Sequence, residues 1–151
     1  MSKALIFVII QFLLFGVFAI LLFALPTVSS ALSTTIGLMM AVIGPILGLI
    51  AIHEHSTQNK TTPNVVPTPK AHTDLIDSGP YRLIRHPIYT GVLLTAFGSA
   101  LAHGHPVVFV MAIALAIFFS IKSRYEETLL RQVFPGYREY EKQTGRFLPG
   151  L

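Results

Sequence analysis

The chain has 151 residues, of which 52% are hydrophobic and only 12% charged, and its mean hydropathy is +0.65. Because an average soluble domain carries about 25% charged residues, this composition predicts a protein with several membrane spans. Cysteine is absent, which excludes disulfide bonds, thiolate metal sites and a cysteine nucleophile. The net charge of +4 does not indicate a nucleic-acid partner, because apolar segments separate the basic residues.

Two long apolar runs predict the first two membrane helices. Residues 4–25 contain no charged side chain, and a helix of that length exceeds the roughly 30 Å hydrocarbon core of a bilayer. The run has no small-residue cleavage site, so we interpret it as a retained span and not as a signal peptide. Residues 32–52 form the second predicted span, in which Gly44 and Gly48 have the spacing that allows another helix to approach closely.

Residues 53–86 are predicted to form a cytosolic loop, because the sequence becomes polar and rich in proline. Short apolar pairs at residues 65–66 and 75–76 would hold this loop over the protein. The His-Glu-His sequence at residues 53–55 invites a metal site, but its spacing directs the two imidazoles to different sides of a helix. No third ligand follows at a useful interval, so a solvated helix end is favoured over a zinc site.

Two shorter apolar runs, at residues 87–103 and 106–121, predict a helical hairpin as the third and fourth spans. A re-entrant pair is the alternative, since each run is shorter than the roughly 20 residues of a straight span. Pro87 suits a first helical turn, which would place His86 at the mouth of the helix. Residues 103–106 are interpreted as a plain loop.

The distribution of lysine and arginine predicts the topology. Basic residues occur at the N-terminus, in the central loop and in residues 122–151, whereas the other two connections have none. Under the positive-inside rule, four crossings place both termini, the loop and a helical C-terminal tail in the cytoplasm, at the inner or plasma membrane if the source is bacterial. Lys122 is interpreted as one of the membrane-surface anchors.

The tail begins as an amphipathic helix that continues from the fourth span. Projection at 100° per residue places Glu126 in the middle of its apolar face and Glu127 at the edge of that face. A carboxylate in an apolar stripe requires a specific partner. The partner is predicted to be Arg82, Arg85 or water at the membrane surface, or else the ammonium group of a ligand.

Three motifs occur in order in the second half of the chain. They are G-P-Y-R-x-x-R-H-P-x-Y-x-G at residues 79–91, E-E-x-x-L at residues 126–130, and Y-x-x-Y followed by R-F-L-P at residues 137–149. Together they resemble the isoprenylcysteine carboxyl methyltransferase and phospholipid methyltransferase superfamily, which comprises integral membrane enzymes that use S-adenosylmethionine. The resemblance covers about residues 75–151.

The resemblance implies a cytosol-facing cofactor pocket that the tail closes. S-adenosylmethionine offers a carboxylate for hydroxyl, imidazole and guanidinium donors, and an ammonium group for a buried carboxylate. Arg124 and Arg146 are the candidates for a cation that faces the substrate or closes the tail, whereas Tyr137 and Tyr140 are interpreted as tail packing. The implied cofactor residues are Gly79, Tyr81, Arg85, His86, Tyr89, Glu126 and Glu127, and no metal is implied.

The expected function is therefore S-adenosylmethionine-dependent methyl transfer to a lipophilic or membrane-delivered acceptor. Larger family members have additional N-terminal spans that help to form a lipid tunnel, and this chain is shorter than they are. The acceptor therefore stays open between a carboxylate, a thiol, an amine and a phospholipid head group. Two alternatives are a membrane reductase of the same fold that binds NADPH and a non-catalytic membrane scaffold. Self-association through the Gly44 and Gly48 face is a further hypothesis.

Overall fold

The structure is a computed structural model that describes residues 3–60, 63 and 74–151. The described part is helical, as the sequence predicts, while the apolar pair at residues 65–66 lies outside the described residues. A 3₁₀ turn at Gly79–Arg82 precedes the third helix. The α-helices are α1 Lys3–Ala24, α2 Ala31–Asn59, α3 Pro87–His103, α4 Pro106–Val133 and α5 Tyr137–Gln143.

Three of these helices, α1, α2 and α4, are long and apolar enough to cross a membrane. Large apolar side chains such as Phe12, Leu13 and Phe23 are more than half exposed on α1. An exposed apolar surface of this extent requires lipid and not water as its solvent. The protein is therefore an integral membrane protein with an all-helical fold.

Helix α2 extends beyond its predicted span, because its polar last turns stay helical. Ser30 caps its start, accepting a 3.2 Å hydrogen bond from the Ser33 backbone N–H. Within the polar end, the Thr57 hydroxyl donates to the Glu54 carbonyl oxygen at 2.9 Å. The helix stops at Lys60, whose φ of 51° is left-handed. Residues 53–59, predicted as loop, therefore form a helical wall above the membrane segment.

A seam of small residues joins α2 to α3. A Cβ atom built on Gly98 would lie 2.5 Å from the Ala41 nitrogen and 2.6 Å from the Gly37 carbonyl oxygen, and one built on Gly44 would lie 2.4 Å from the Gly91 carbonyl oxygen. Only hydrogen fits in such gaps, so the two backbones touch directly. The close approach predicted at Gly44 thus occurs within the chain, where α3 already covers Gly44.

Aromatic and aliphatic side chains hold α1 against α4. The rings of Phe15 and Phe119 have centroids 6.0 Å apart, and Phe7 and Phe118 are similarly placed at 6.1 Å. On α4, Leu115 is buried in the same cluster. This packing brings the first two-thirds of α1 beside the middle of α4.

The two turns at the other end of the bundle contact each other. The Val28 N–H donates to the His103 carbonyl oxygen at 2.9 Å, and His103 Nε2 lies 3.2 Å from the Leu25 carbonyl oxygen. Residues 104–105 form the predicted loop between α3 and α4, but His103 ends α3 and is buried. Its imidazole satisfies a backbone carbonyl that the end of α1 leaves without a helical partner.

The C-terminal tail docks on the start of α3 through backbone hydrogen bonds. Arg85 N–H donates to the Gly145 carbonyl oxygen at 2.8 Å, and Gly145 N–H donates to the Leu83 carbonyl oxygen at 3.1 Å, forming one rung of a parallel bridge. The Thr90 hydroxyl then donates to the Phe147 carbonyl oxygen at 2.8 Å. These bonds bring two distant motifs of the sequence together.

Candidate functional site

A cavity of about 400 Å³ lies where the docked tail meets the helical bundle. This volume is within the range of small-molecule sites, roughly 300–1,000 Å³. All five helices contribute to its wall, which is mostly apolar with a limited set of polar groups. The polar and tyrosine side chains that line it are Gln11, His55, Asn59, Asp74, Tyr81, Arg85, His86, Tyr89, Lys122, Glu126, Tyr137 and Tyr140.

Glu126 faces this cavity and has a specific partner, although not an arginine. The Tyr89 hydroxyl donates to Glu126 Oε2 at 3.0 Å, and His86 Nδ1 lies 3.6 Å from the same oxygen. The His86 and Tyr89 rings stack, with an interplanar angle of 3°. The prediction that Arg82 or Arg85 pairs with Glu126 is wrong. The side chain of Glu126 remains 21% exposed and can therefore accept hydrogen bonds from a ligand.

Glu127 is the carboxylate that pairs with arginines. It is completely buried, and its oxygens accept from Arg85 Nε at 3.0 Å and from Arg146 Nη2 at 2.6 Å. The other end of Arg85 donates to the carbonyl oxygens of Glu141, at 3.0 Å, and Thr144. A buried charge requires such complete pairing. The helical projection placed Glu127 at the edge of an apolar face, but the tail folds over that edge.

Two buried polar atoms at the cavity lack a hydrogen-bond partner among the described residues. They are Nε2 of His86 and the hydroxyl of Tyr137. His86 Nε2 is 3.3 Å from Glu127 Oε1, which is an ion-pair contact when the imidazole is protonated, but no hydrogen bond forms there. Burial raises the pKa of the Tyr137 phenol, which therefore stays protonated at physiological pH and can donate. Buried groups of this kind are available to bind a water molecule or a polar ligand.

Two more motif tyrosines, Tyr81 and Tyr140, line the cavity, whereas Gly79 does not belong to its wall. The Tyr140 hydroxyl donates to the Tyr81 carbonyl oxygen at 2.7 Å. Burial raises the pKa of the Tyr81 phenol, which also remains a donor. Gly79 begins the 3₁₀ turn with a φ of +53° and faces the Glu54 carboxylate of α2. Tyr140 thus packs the tail as predicted, and it also lines the cavity, as Tyr137 does.

Lys122 is a cavity residue that the sequence reasoning missed. It is only 1% exposed, and its ammonium donates to Gln11 Oε1 at 2.5 Å. The same nitrogen lies 5.2 Å from the centre of the Tyr89 ring. The interpretation as a membrane-surface anchor is therefore wrong. Gln11 was the available signal, because a polar side chain midway along an apolar span indicates a functional position.

Arg124 lies away from these groups. Its side chain is exposed and borders a separate groove between α3 and α4, beside Phe97 and Ile117. Of the predicted site residues, Glu127 and Arg146 pair with each other beside the cavity, and Gly79 and Arg124 lie outside its wall. Those that line it are Tyr81, Arg85, His86, Tyr89 and Glu126. Among residues 3–60, 63 and 74–151, no cluster of three or more histidine, aspartate or glutamate side chains could hold a metal ion.

These features define a class: helical membrane proteins with a ligand-sized cavity between the lipid-embedded helices and a docked C-terminal tail. Within that class, the family model for phospholipid methyltransferases matches residues 32–136, well over half of the chain. The chain belongs to this family. The resemblance that the motifs predicted is confirmed.

Two individual proteins are similar to parts of this chain. A rice protein (Oryza sativa subsp. indica) named "Probable protein-S-isoprenylcysteine O-methyltransferase" is 35% identical over 121 residues, which cover 77% of this chain and 59% of the rice protein. The cobalt-zinc-cadmium resistance protein CzcN of Cupriavidus metallidurans is 36% identical over 83 residues, which cover 54% of this chain and 38% of that protein.

A solved structure has a similar fold. It is a eukaryotic intramembrane Ras methyltransferase, isoprenylcysteine carboxyl methyltransferase, which superposes with a TM-score of 0.68 at 25% identity. The match covers 78% of this chain and 42% of the solved chain. The chain therefore spans about half the length of the proteins that it matches.

Proposed function

We propose that this protein transfers a methyl group from S-adenosylmethionine to a lipophilic acceptor delivered through the membrane. The observation that carries the proposal is the convergence of all three family motifs on one cavity of about 400 Å³. The motif at residues 79–91 supplies His86 and Tyr89, the glutamate pair supplies Glu126, and the tail supplies Tyr137. Membership in the phospholipid methyltransferase family supports the same activity.

The polar groups of the cavity fit S-adenosylmethionine. Glu126 is partly exposed and suits the ammonium or the ribose hydroxyls, while the unsatisfied His86 Nε2 and Tyr137 hydroxyl suit a carboxylate or a ring nitrogen. The tyrosine faces suit a sulfonium through cation–π attraction. When bound, the cofactor supplies a methyl carbon that its sulfonium already activates. The chain's own residues then need only to align the acceptor and exclude water.

Glu127 has a different role from Glu126 in this proposal. It is buried, its oxygens are occupied by Arg85 and Arg146, and it is not part of the cavity wall. We assign it to bracing the tail over the cofactor. Of the two arginines predicted as substrate-facing or tail-closing cations, Arg146 has this closing position, whereas Arg124 does not reach the cavity.

We further propose that α3 is a fourth span. Its 17 residues are shorter than a straight span requires, but α3 packs along the second helix through the glycine seam. The positive-inside rule then places the cavity and the tail in the cytoplasm, where S-adenosylmethionine is available. Cysteines introduced at the exposed residues 106 and 138 would be labelled from opposite sides of sealed vesicles if this topology holds.

The relatives support a lipophilic acceptor, and isoprenylcysteine is one candidate because the rice protein carries that name. Methyl transfer is best tested with tritiated S-adenosylmethionine and total membrane extracts, in which the labelled product identifies the acceptor. Since α3 covers Gly44, any self-association would require another surface than the one that the sequence suggested.

Cofactor binding has a direct test by calorimetric titration of the detergent-solubilised protein. We expect S-adenosylmethionine to bind the natural protein, and Glu126→Gln or His86→Ala to weaken binding by about 10- to 100-fold, as loss of a charge-assisted hydrogen bond would. Glu139→Gln is the matched control, because Glu139 is exposed and pairs with the equally exposed Lys142 on α5.

The same titration separates the alternatives. Binding of NADPH in place of S-adenosylmethionine would assign the protein to a reductase. If neither compound binds to a protein whose thermal unfolding shows that it is folded, the family motifs serve only to pack a scaffold. Unchanged affinity in both site variants would also contradict the proposed site.

A further inference from the structure

The polar pair of Lys122 and Gln11 lies in an apolar part of the cavity. Gln11 is on α1 between apolar turns, and Lys122 directly follows the apolar run of α4. Around them the cavity wall is formed by the side chains of Phe15, Val92 and Phe119. A cation at such a place is expensive to bury, and intramembrane cations of this kind usually serve a bound group.

Lys122 and Glu126 divide the cavity into a basic and an acidic side. The two residues are four positions apart on α4, which is one turn or about 6 Å along the helix axis. Tyr89 stands between them, since its hydroxyl donates to Glu126 while its ring lies 5.2 Å from the Lys122 ammonium. The acidic side adjoins His86 and the docked tail, and the basic side adjoins α1 and the apolar wall.

We propose that Lys122, oriented by Gln11, binds the acceptor and selects one whose reacting atom is anionic, a carboxylate or a thiolate. This inference rests on the proposed methyl transfer and adds the acceptor class to it. A lipophilic acceptor would place its tail against the phenylalanine wall and its charged end at the ammonium. A protonated amine would meet a like charge there and be rejected.

Methyl transfer needs no general base when the acceptor is a carboxylate, because the acceptor has no proton to lose. A lone pair of the carboxylate oxygen forms the new O–CH₃ bond, and the S–CH₃ bond of the sulfonium breaks with its electron pair returning to sulfur. The products are a neutral ester and a neutral thioether, and no proton moves. A thiol must first lose its proton to solvent, which a neighbouring ammonium favours because it stabilises the thiolate.

The test uses short probes of six carbon atoms each: hexanoate, hexanethiol and hexylamine. Equilibrium dialysis with radiolabelled hexanoate or hexylamine would be performed on protein saturated with S-adenosylhomocysteine, so that no turnover occurs. We expect hexanoate to bind at least tenfold more tightly than hexylamine. Lys122→Met should weaken hexanoate binding by about 10- to 100-fold, while Lys122→Arg should keep most of it.

Two controls show whether the effect belongs to the acceptor. Lys142→Met removes an exposed ammonium from α5 and should leave every affinity unchanged. Affinity for S-adenosylmethionine should differ less than twofold between Lys122→Met and the natural protein. Gln11→Leu should retain a weakened preference for hexanoate, because it removes the group that orients Lys122 and not the charge itself.

Transfer of a tritiated methyl group provides the second readout. We expect labelled methyl hexanoate or methyl hexyl sulfide, and no labelled N-methylhexylamine. Which of the first two products forms identifies the anionic group. Equal binding of hexanoate and hexylamine would overturn the inference, as would preferential methylation of the amine. A loss of S-adenosylmethionine affinity in Lys122→Met equal to its loss of hexanoate affinity would assign Lys122 to the cofactor and overturn it too.

The two proposals can fail separately. If S-adenosylmethionine does not bind and no methyl transfer occurs, the proposed function fails, but a preference for hexanoate that depends on Lys122 would still show an anion site. If methyl transfer to an amine occurs and Lys122→Met leaves it unchanged, the proposed function holds and the acceptor class inferred here is wrong.

Discussion

The α2–α3 seam and the junction between α3 and the tail hold the same helix by different physical means. Along the seam, Gly37, Gly44, Gly91 and Gly98 allow backbone atoms to meet, and shape alone decides the fit. The junction is held instead by the buried Glu127 carboxylate with its two arginines and by a short parallel bridge. In lipid, close packing of small residues stabilises helix pairs, because burial of apolar surface provides little driving force there. Next to water, paired charges can close a site and still allow it to reopen.

The seam should be the more sensitive of the two regions. Gly98→Ala places a methyl group 2.5 Å from a backbone nitrogen and 2.6 Å from a carbonyl oxygen, neither of which can rotate away. We expect a loss of about 3 kcal/mol or more from overpacking, seen as a lower midpoint of thermal unfolding in detergent. Gly16→Ala is the control, since a Cβ atom there meets nothing within 4 Å. Equal midpoints for the two variants would contradict this prediction, because they would show that α2 and α3 can move apart without loss of stability.

The junction should show an intermediate effect. Glu127→Ala leaves Arg85 and Arg146 facing each other without their carboxylate. Breaking a fully buried ion pair costs about 3–5 kcal/mol, and we expect about 2–3 kcal/mol here because Arg146 is 25% exposed. Thermal unfolding measures the loss, and limited proteolysis should cut the tail of the variant faster than that of the natural protein. A tail as resistant as before would show that the backbone bridge suffices.

A double-mutant cycle would sharpen this result. If Arg146→Ala and Glu127→Ala act through one shared pair, their combined effect should be smaller than the sum of the two single effects. The exposed Glu139 and Lys142 pair offers a comparison for which we expect no measurable coupling.

The smallest effects should separate packing from ligand binding within the tail itself. Tyr140→Phe loses the hydrogen bond to the Tyr81 carbonyl oxygen and should cost about 1 kcal/mol of stability. Tyr137→Phe removes a hydroxyl that has no partner among the described residues, so stability should not fall. Its affinity for S-adenosylmethionine should decrease several-fold, as calorimetry would show. The reverse pattern would mean that Tyr137, and not Tyr140, fastens the tail.

Burial also fixes the protonation state of these phenols over the working pH range. It raises the pKa of both Tyr137 and Tyr140, so neither loses its proton between pH 6 and 9, roughly. Cofactor affinity should therefore not show a tyrosine titration in this range, which calorimetry at several pH values would check.

Several features of the fold and the family follow from short stretches of the sequence alone. Apolar length alone predicts α1 and the membrane class, because a bilayer of about 30 Å allows few alternatives for such a run. The ordered motifs predict the family, and Gly44 predicts a close helix contact. These features depend on composition and spacing, which a sequence displays directly.

The tertiary structure decided the roles of individual charges. Helical projection indicated Glu126 as the residue that needs a specific partner, an arginine, water or a ligand ammonium, but the tail folds back to place Arg146 on Glu127. Lys122 resembles a surface anchor until α1 places Gln11 beside it, across more than a hundred residues of sequence. A side chain's charge is written in the sequence, whereas its solvation and its partners depend on which distant segments are brought against it.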